Sequence, residues 1–304
     1  MPVRLADNGF GCDSLKDGRL ESARKDLKKS DHGTDKKKRF AVFKDLGVLE
    51  YNKALELQIQ TVFEKIRNKK KDKAETRLIQ IEQAALNHDP LEGAQSDHLY
   101  ADHLFFVEHP SVFTLGKRGG LENLSVSKKI LNSRNIDIIK TDRGGNITWH
   151  GPGQAVLYPV IDLEKNRIGV KDFVYGLEEI MKFTADDFNI IADRSIKNHG
   201  IWVGNAKIGS VGISIKKGIS MHGLALNITP DLEPFSWINP CGLNDISMTS
   251  LKKELLKNTT STKSDSTPFK VMHDDFSSIK IMERVKRSFQ QHFSMVFDFE
   301  IVEV

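Results

Sequence analysis

Arg143-Gly144-Gly145-Asn146-Ile147-Thr148-Trp149-His150-Gly151-Pro152-Gly153-Gln154-Ala155-Val156-Leu157-Tyr158 sets an arginine, a histidine, a glutamine and four glycines between two strand-like runs. Upstream, Ile136 to Lys140 alternates imperfectly, and downstream Val156 to Leu163 is mostly apolar. The glycines therefore fall where one strand turns into the next. Glycine lets a backbone approach a ligand closely, so a loop of this kind builds a site. A tight hairpin holding a satisfied structural histidine is the alternative reading of the same residues.

Further strings lie on either side. Phe105-Phe106-Val107-Glu108-His109-Pro110 continues as Ser111-Val112-Phe113-Thr114-Leu115-Gly116. Beyond the glycine loop come Asn205-Ala206-Lys207-Ile208-Gly209-Ser210-Val211-Gly212-Ile213, Met221-His222-Gly223-Leu224-Ala225-Leu226-Asn227 and Ile238-Asn239-Pro240-Cys241-Gly242-Leu243. In order and spacing they resemble the octanoyltransferases of lipoate synthesis, also called lipoate-protein ligase B, from about Phe105 to about Leu251. Several motifs in register make the match more specific than any single pattern. The resemblance implies one catalytic domain with the biotin/lipoate protein ligase fold, a central mixed sheet flanked by helices. Independently, the short strand-like runs between Leu104 and Asn227, broken by a helical pattern over Val170 to Phe188, favour an α+β layer fold over a regular βαβ repeat.

A 39% hydrophobic and 28% charged composition is that of an ordinary globular chain with a core. Residues 1–39 hold eleven Lys/Arg and seven Asp/Glu, which accounts for the whole +4 net charge. The remainder is neutral, so bulk charge implies no nucleic-acid-binding face. No apolar run approaches the eighteen or so residues of a membrane span. Two cysteines in unlike contexts, Cys12 and Cys241, suit a reducing compartment.

The expected organisation is a disordered charged extension over 1–45 and a catalytic domain over 46–304, with a polar surface insert about 258–268. Within it, Glu50 to Asn87 has helical spacing interrupted at Lys69 to Lys73, one broken helix or two. Ile279 to Phe293 suggests a C-terminal helix before a strand-like Met295 to Val302. The extension and insert depart from compact bacterial-looking relatives and point to a mitochondrial, eukaryotic member. Yet Asp7, Asp13, Asp17 and Glu21 interleave the arginines, unlike an ordinary presequence.

For the chemistry, Cys241 in Pro-Cys-Gly is the candidate nucleophile, since thiols attack thioesters and leave readily once acylated. Lys207 is its candidate partner and the base for an incoming acceptor lysine. The substrate-binding set is Arg143, Gly144, Gly145, Thr148, His150, Gly151, Gly153, Gln154, Gly209, Ser210, Gly212, His222, Gly223 and Ala225. Arg143 would clamp a phosphate or the acceptor, or else buttress the turn. The glycines would offer N–H groups to a developing oxyanion. No metal-ligand spacing is present and no cofactor is implied. The resemblance implies octanoyl-acyl carrier protein as donor, with lipoyl domains of 2-oxoacid dehydrogenase E2 subunits and the glycine-cleavage H protein as acceptors. Two rival readings remain: an ATP-dependent lipoate- or biotin-type ligase, and an inactive acyl-carrier-binding homologue.

Overall fold

The computed structural model describes residues 39–86, 101–195, 198–239, 247–261 and 278–304. Two sheets carry the fold. The larger takes β1 (Arg39–Val48), β2 (Asp102–Glu108), β6 (Gln154–Val160), β7 (Asp193–Ser195), β8 (Asn198–Val203), β9 (Ala206–Lys216), β10 (Ile219–Asn227), β11 (Ser247–Met248) and β12 (Phe299–Glu303). Its order is β12-β1-β2-β6-β10-β9-β8-β7, with β11 paired to β9. Pairing is parallel for β12–β1, β1–β2 and β11–β9 and antiparallel elsewhere, so the sheet is mixed. The smaller sheet joins β3 (Val112–Leu115), β4 (Asp137–Lys140) and β5 (Ile147–His150) in the order β4-β3-β5.

Helices cover both faces of the large sheet. On one side lie α3 (Val170–Asp186) and α5 (Ser278–Phe297), which pack against each other. Leu177, Ile180, Phe289 and Phe293 are fully buried there with Leu157, Ile208 and Leu226 of the strands. On the other side α1 (Tyr51–Leu86) lies over β6 and β10. Because β6 has a covered face on each side, all seven of its residues are buried, and its sequence reads as a continuous apolar run instead of an alternation. The short α2 (Lys128–Ser133) and a 3₁₀ turn over Glu233–Trp237 close the core of the small sheet around Phe113, Trp149 and Trp237.

The structure corrects three expectations. Strand β1 starts at Arg39, inside the segment expected to be disordered up to 45, and it is hydrogen-bonded on both edges. Ala41 and Phe43 are buried; Arg39-Phe40-Ala41-Val42-Phe43 is a short β-prone run that the charge of the preceding residues masked. The Lys-rich stretch 69–73 does not break α1, which is one helix. Lysine is a good helix former, so the run continues the helix whose earlier turns carry the buried stripe of Tyr51, Ala54, Gln58, Val62 and Lys65. The polar insert begins as helix, since α4 (Leu251–Ser261) runs through Asn258; the rest of that insert lies outside the described residues.

Lys65 fixes α1 to the sheet. Its ammonium donates to the Asp102 carboxylate at 2.7 Å, both groups buried, and to the half-buried Ala101 carbonyl at 2.8 Å. Asp102 also accepts from Asn166 Nδ2 and the Asp162 N–H, so its buried charge is fully surrounded by donors.

Candidate active site

A narrow cavity of about 80 Å³ lies between the start of α1, the loop before β5, and strands β5, β6, β9 and β10. Of the residues singled out in the sequence, Arg143, Gly144, Gly145, Thr148, His150, Lys207, Ser210, Gly212, His222, Gly223 and Ala225 all line it. Ile147, Val156, Leu224, Phe235, Ile238 and Met248 supply an apolar wall. A mostly apolar slot with a few polar groups suits a saturated acyl chain carrying one reactive carbonyl. Gly151, Gly153, Gln154 and Gly209 stand outside this wall. Gly209 packs toward α3, where a Cβ would lie 2.7 Å from Met181 Sδ. Gly153 takes the Ile228 and Thr229 N–H groups on its carbonyl. Cys241 lies outside the described residues.

A β-bulge aims Lys207 at the cavity. Consecutive β8 residues Ile201 and Trp202 pair with Gly209 and Lys207, so Ile208 is the extra residue. The bulge reverses the alternation: Ile208 joins the core under α3 while Lys207 turns to the opposite face. There Lys207 is only 7% exposed. Its Nζ donates to the His199 carbonyl at 2.8 Å and sits 5.6 Å from the centre of the Trp202 ring.

His150 is held in one tautomer by a relay of side chains. Asn227 Nδ2 donates to the Thr249 carbonyl at 3.0 Å, which leaves Asn227 Oδ1 to accept from Gln154 Nε2 at 2.9 Å. Gln154 Oε1 must then accept from His150 Nδ1–H, at 2.6 Å. His150 Nε2 is thereby the unprotonated nitrogen. Burial, followed by the nearby His109, lowers the His150 pKa to about 3, so the ring is a neutral acceptor. Gln154 thus acts from behind His150.

A second cluster holds His222, which has a positive φ of 56° in mid-strand. Three partners over-determine that conformation. Its N–H donates to Gln58 Oε1, its Nε2–H to the Asp142 carboxylate at 2.7 Å, and its Nδ1 accepts from the Tyr51 hydroxyl at 3.3 Å. The His222 hydrogen bond is the main reason that Asp142 is held down to about 2. Burial pushes the Tyr51 hydroxyl up to about 12, which keeps it a donor. Nearby, His109 Nδ1–H donates to the Leu49 carbonyl, so the Tyr158 hydroxyl donates to His109 Nε2 at 2.8 Å. The Arg143 guanidinium donates to Thr114 Oγ1, the Thr114 carbonyl and the Gly144 carbonyl. These bonds tie the glycine loop to β3, the buttressing geometry.

Sequence reasoning missed Tyr51, Gln58, Asp142 and Asn227 and gave no role to His109, Thr114 or Tyr158. One signal was available: Gln58 falls between Ala54 and Val62 at helical spacing, where a polar side chain needs a buried partner. Among the described residues no group of three His, Cys, Asp or Glu side chains is placed to hold a metal ion. No described helix is long and apolar enough to cross a membrane.

Residues 80–266 match the family described as the lipoyl protein ligase A/B catalytic domain. The fold agrees: a bi-partite lipoate protein ligase from Thermoplasma acidophilum superposes with a TM-score of 0.50 at 15% identity, covering 88% of this chain and 87% of that one. A lipoate-protein ligase A bound with ATP gives 0.50 at 12% identity, covering 88% and 90%. At the level of sequence, an octanoyltransferase from Desulfotalea psychrophila is 50% identical over 161 residues, 52% of this chain and 72% of its own. One from Maridesulfovibrio salexigens is 39% identical over 212 residues, 70% of this chain and 85% of its own. The chain belongs to the octanoyltransferase family. It is an acyltransferase enzyme, moving an octanoyl group in protein lipoylation.

Proposed function

We propose that the octanoyl group arrives on acyl carrier protein, passes to Cys241 as a thioester, and leaves as an amide on a lysine of a lipoyl domain. The E2 subunits of 2-oxoacid dehydrogenases and the glycine-cleavage H protein are the proposed acceptors, and the mitochondrion the proposed compartment. The observation that carries this reading is Lys207, a buried amine aimed by a bulge into an apolar slot. In the first step the Cys241 sulfur attacks the donor carbonyl, and the carrier's thiol leaves with the cysteine proton. In the second the acceptor amine attacks the Cys241 thioester and gives a proton to neutral Lys207. The departing thiolate recovers that proton. Thioester exchange is nearly balanced and aminolysis runs downhill, so no nucleotide is needed. Residues Arg143, Gly144, Gly145, Thr148, Ser210, Gly212, Gly223 and Ala225 would form the walls of the acyl site, and His150 Nε2 an acceptor within it.

Intact mass after mixing the protein with octanoyl-acyl carrier protein, without ATP or Mg²⁺, tests this. One octanoyl adduct is expected in wild type and Cys12→Ala, and none in Cys241→Ala. Equal labelling of Cys241→Ala moves the nucleophile elsewhere. Better transfer from free octanoate plus ATP moves the chemistry to the ligase class.

A further inference from the structure

Behind Lys207 stands a carboxylate that the transfer chemistry described so far does not use. Glu178 of α3 is 5% exposed, and its Oε1 accepts the Gly200 N–H at 2.8 Å. The carbonyl of that same peptide unit, His199 C=O, accepts from Lys207 Nζ at 2.8 Å. One peptide plane is thus clamped between a carboxylate on its N–H side and an ammonium on its C=O side. The peptide dipole is aligned with both charges, which favours the protonated amine.

The backbone is shaped for this contact. Gly200 has φ of 123°, a conformation that side-chain-bearing residues rarely adopt. A Cβ there would lie 2.2 Å from the Gly209 carbonyl and 2.9 Å from Lys207 Cε. Glu178 is itself fixed by Arg194 of β7, whose Nε donates to Oε2 at 2.9 Å and whose guanidinium also pairs with Glu179 and stacks on Tyr175.

We infer that Glu178 is a positioning residue for acyl transfer, holding the Lys207 amine through the His199–Gly200 peptide and setting the pH at which that amine gives up its proton. The inference rests on the proposed role of Lys207 as base. The charges around this contact are Glu178 and the neighbouring Glu179 on α3, Arg194 on β7, which pairs with both, and the His199 ring on β8, which lies against Glu178. Arg143, His150 and His222 stand across the cavity. Two 2.8 Å hydrogen bonds spanning one peptide put the Glu178 charge about 7 Å from Nζ. At that range, with the screening usual for proteins, a unit charge moves an amine's titration by about one to two pH units.

The test is the pH profile of single-turnover octanoyl transfer from octanoyl-acyl carrier protein to a lipoyl domain, in wild type, Glu178→Gln, Glu178→Asp and Lys207→Met. Glutamine keeps an oxygen for the Gly200 N–H and removes the charge. Without that charge the ammonium is less favoured, so the acid limb should move down by about one to two pH units, with less than about a threefold change in the plateau rate. Aspartate keeps the charge on a shorter stem, so its limb should stay within a few tenths of wild type while its plateau falls about tenfold or more. If Glu178→Gln does not fold, Glu178→Asp decides by its plateau: a fall of about tenfold or more with an unmoved limb supports the positioning of the amine, and a wild-type plateau overturns the inference. Lys207→Met should erase the limb. If it does so and Glu178→Gln lowers thermal stability without moving the limb, the inference is overturned and Glu178 is structural. A limb that persists in Lys207→Met instead overturns the base role of Lys207, and the inference with it.

Discussion

Lowering the pH from about 7.5 to about 5 should destabilise this protein through two histidines that the fold keeps neutral. His109 and His150 are buried, which lowers their pKa values to about 4 and about 3. In the unfolded chain each titrates near 6.5. Between those values the unfolded chain holds the proton and the folded chain does not, so stability rises with pH across the window and is lost as pH falls below 6.5. The loss is about 1.4 kcal/mol per pH unit per histidine, about 2 kcal/mol each at pH 5 and about 4 kcal/mol together. For a chain of this size that is a Tm drop of about 6–8 °C. His103, lowered chiefly by burial, acts in the same direction. Asp142 has its own window: with its folded pKa depressed to about 2, its contribution is complete above about 4 and is lost only below that. Scanning calorimetry between about pH 4 and 8 reads the effect. Glutamine at position 109 or 150 keeps a donor and an acceptor but takes up no proton, so each variant should lose roughly half the slope. A wild-type Tm that stays flat from pH 7.5 to 5, or an undiminished slope in the His109→Gln/His150→Gln double variant, refutes the neutral-histidine reading.

Other perturbations test the scaffold. Phe43→Ala should cost about 3–5 kcal/mol in urea unfolding, because the side chain is fully buried in the large core; a loss below about 1 kcal/mol would show that β1 adds nothing to that core. Lys65→Met should cost about 3–5 kcal/mol by leaving the buried Asp102 carboxylate without its cation, and an unchanged unfolding midpoint would show that α1 is held by its apolar stripe alone. Gly223→Ala should reduce both Tm and transfer rate, since its Cβ would meet the Leu157 carbonyl at 2.1 Å and Pro159 Cδ at 2.7 Å, forcing β10 away from β6. Wild-type kinetics and stability in that variant would mean that the two strands separate at little cost.

Much of the cavity was legible because glycines, histidines and a lysine in strand-like runs are conspicuous against apolar neighbours. Arg143, His150, Lys207 and His222 were found in this way, and all line one cavity. The groups that orient them were not legible, since each reaches its target only through tertiary pairing. Gln58 meets His222 across 164 residues of chain, and Gln154 meets Asn227 across 73. Nor could alternation alone have told that Lys207 and Gly209, two apart, face opposite ways; the bulge at Ile208 is a property of the pairing with β8. Helices α3 and α5 were visible from their apolar spacing, whereas β1 was hidden by averaging its short apolar run with the charged residues before it.

The placement of α5 and β12 has a consequence for biosynthesis. Chains leave the ribosome in sequence order, and domains complete folding as their parts emerge. Strands β2, β6, β9 and β10 are all made before Ser278, yet Phe289, Phe293 and Phe297 of α5 belong to the core that covers them. Until that helix has been synthesised, one apolar face of the sheet has α3 as its main cover, and β1 lacks the neighbour that β12 provides along its other edge. That apolar face therefore stays partly uncovered until Phe289, Phe293 and Phe297 have been made, and α5 acts as the latch that closes it.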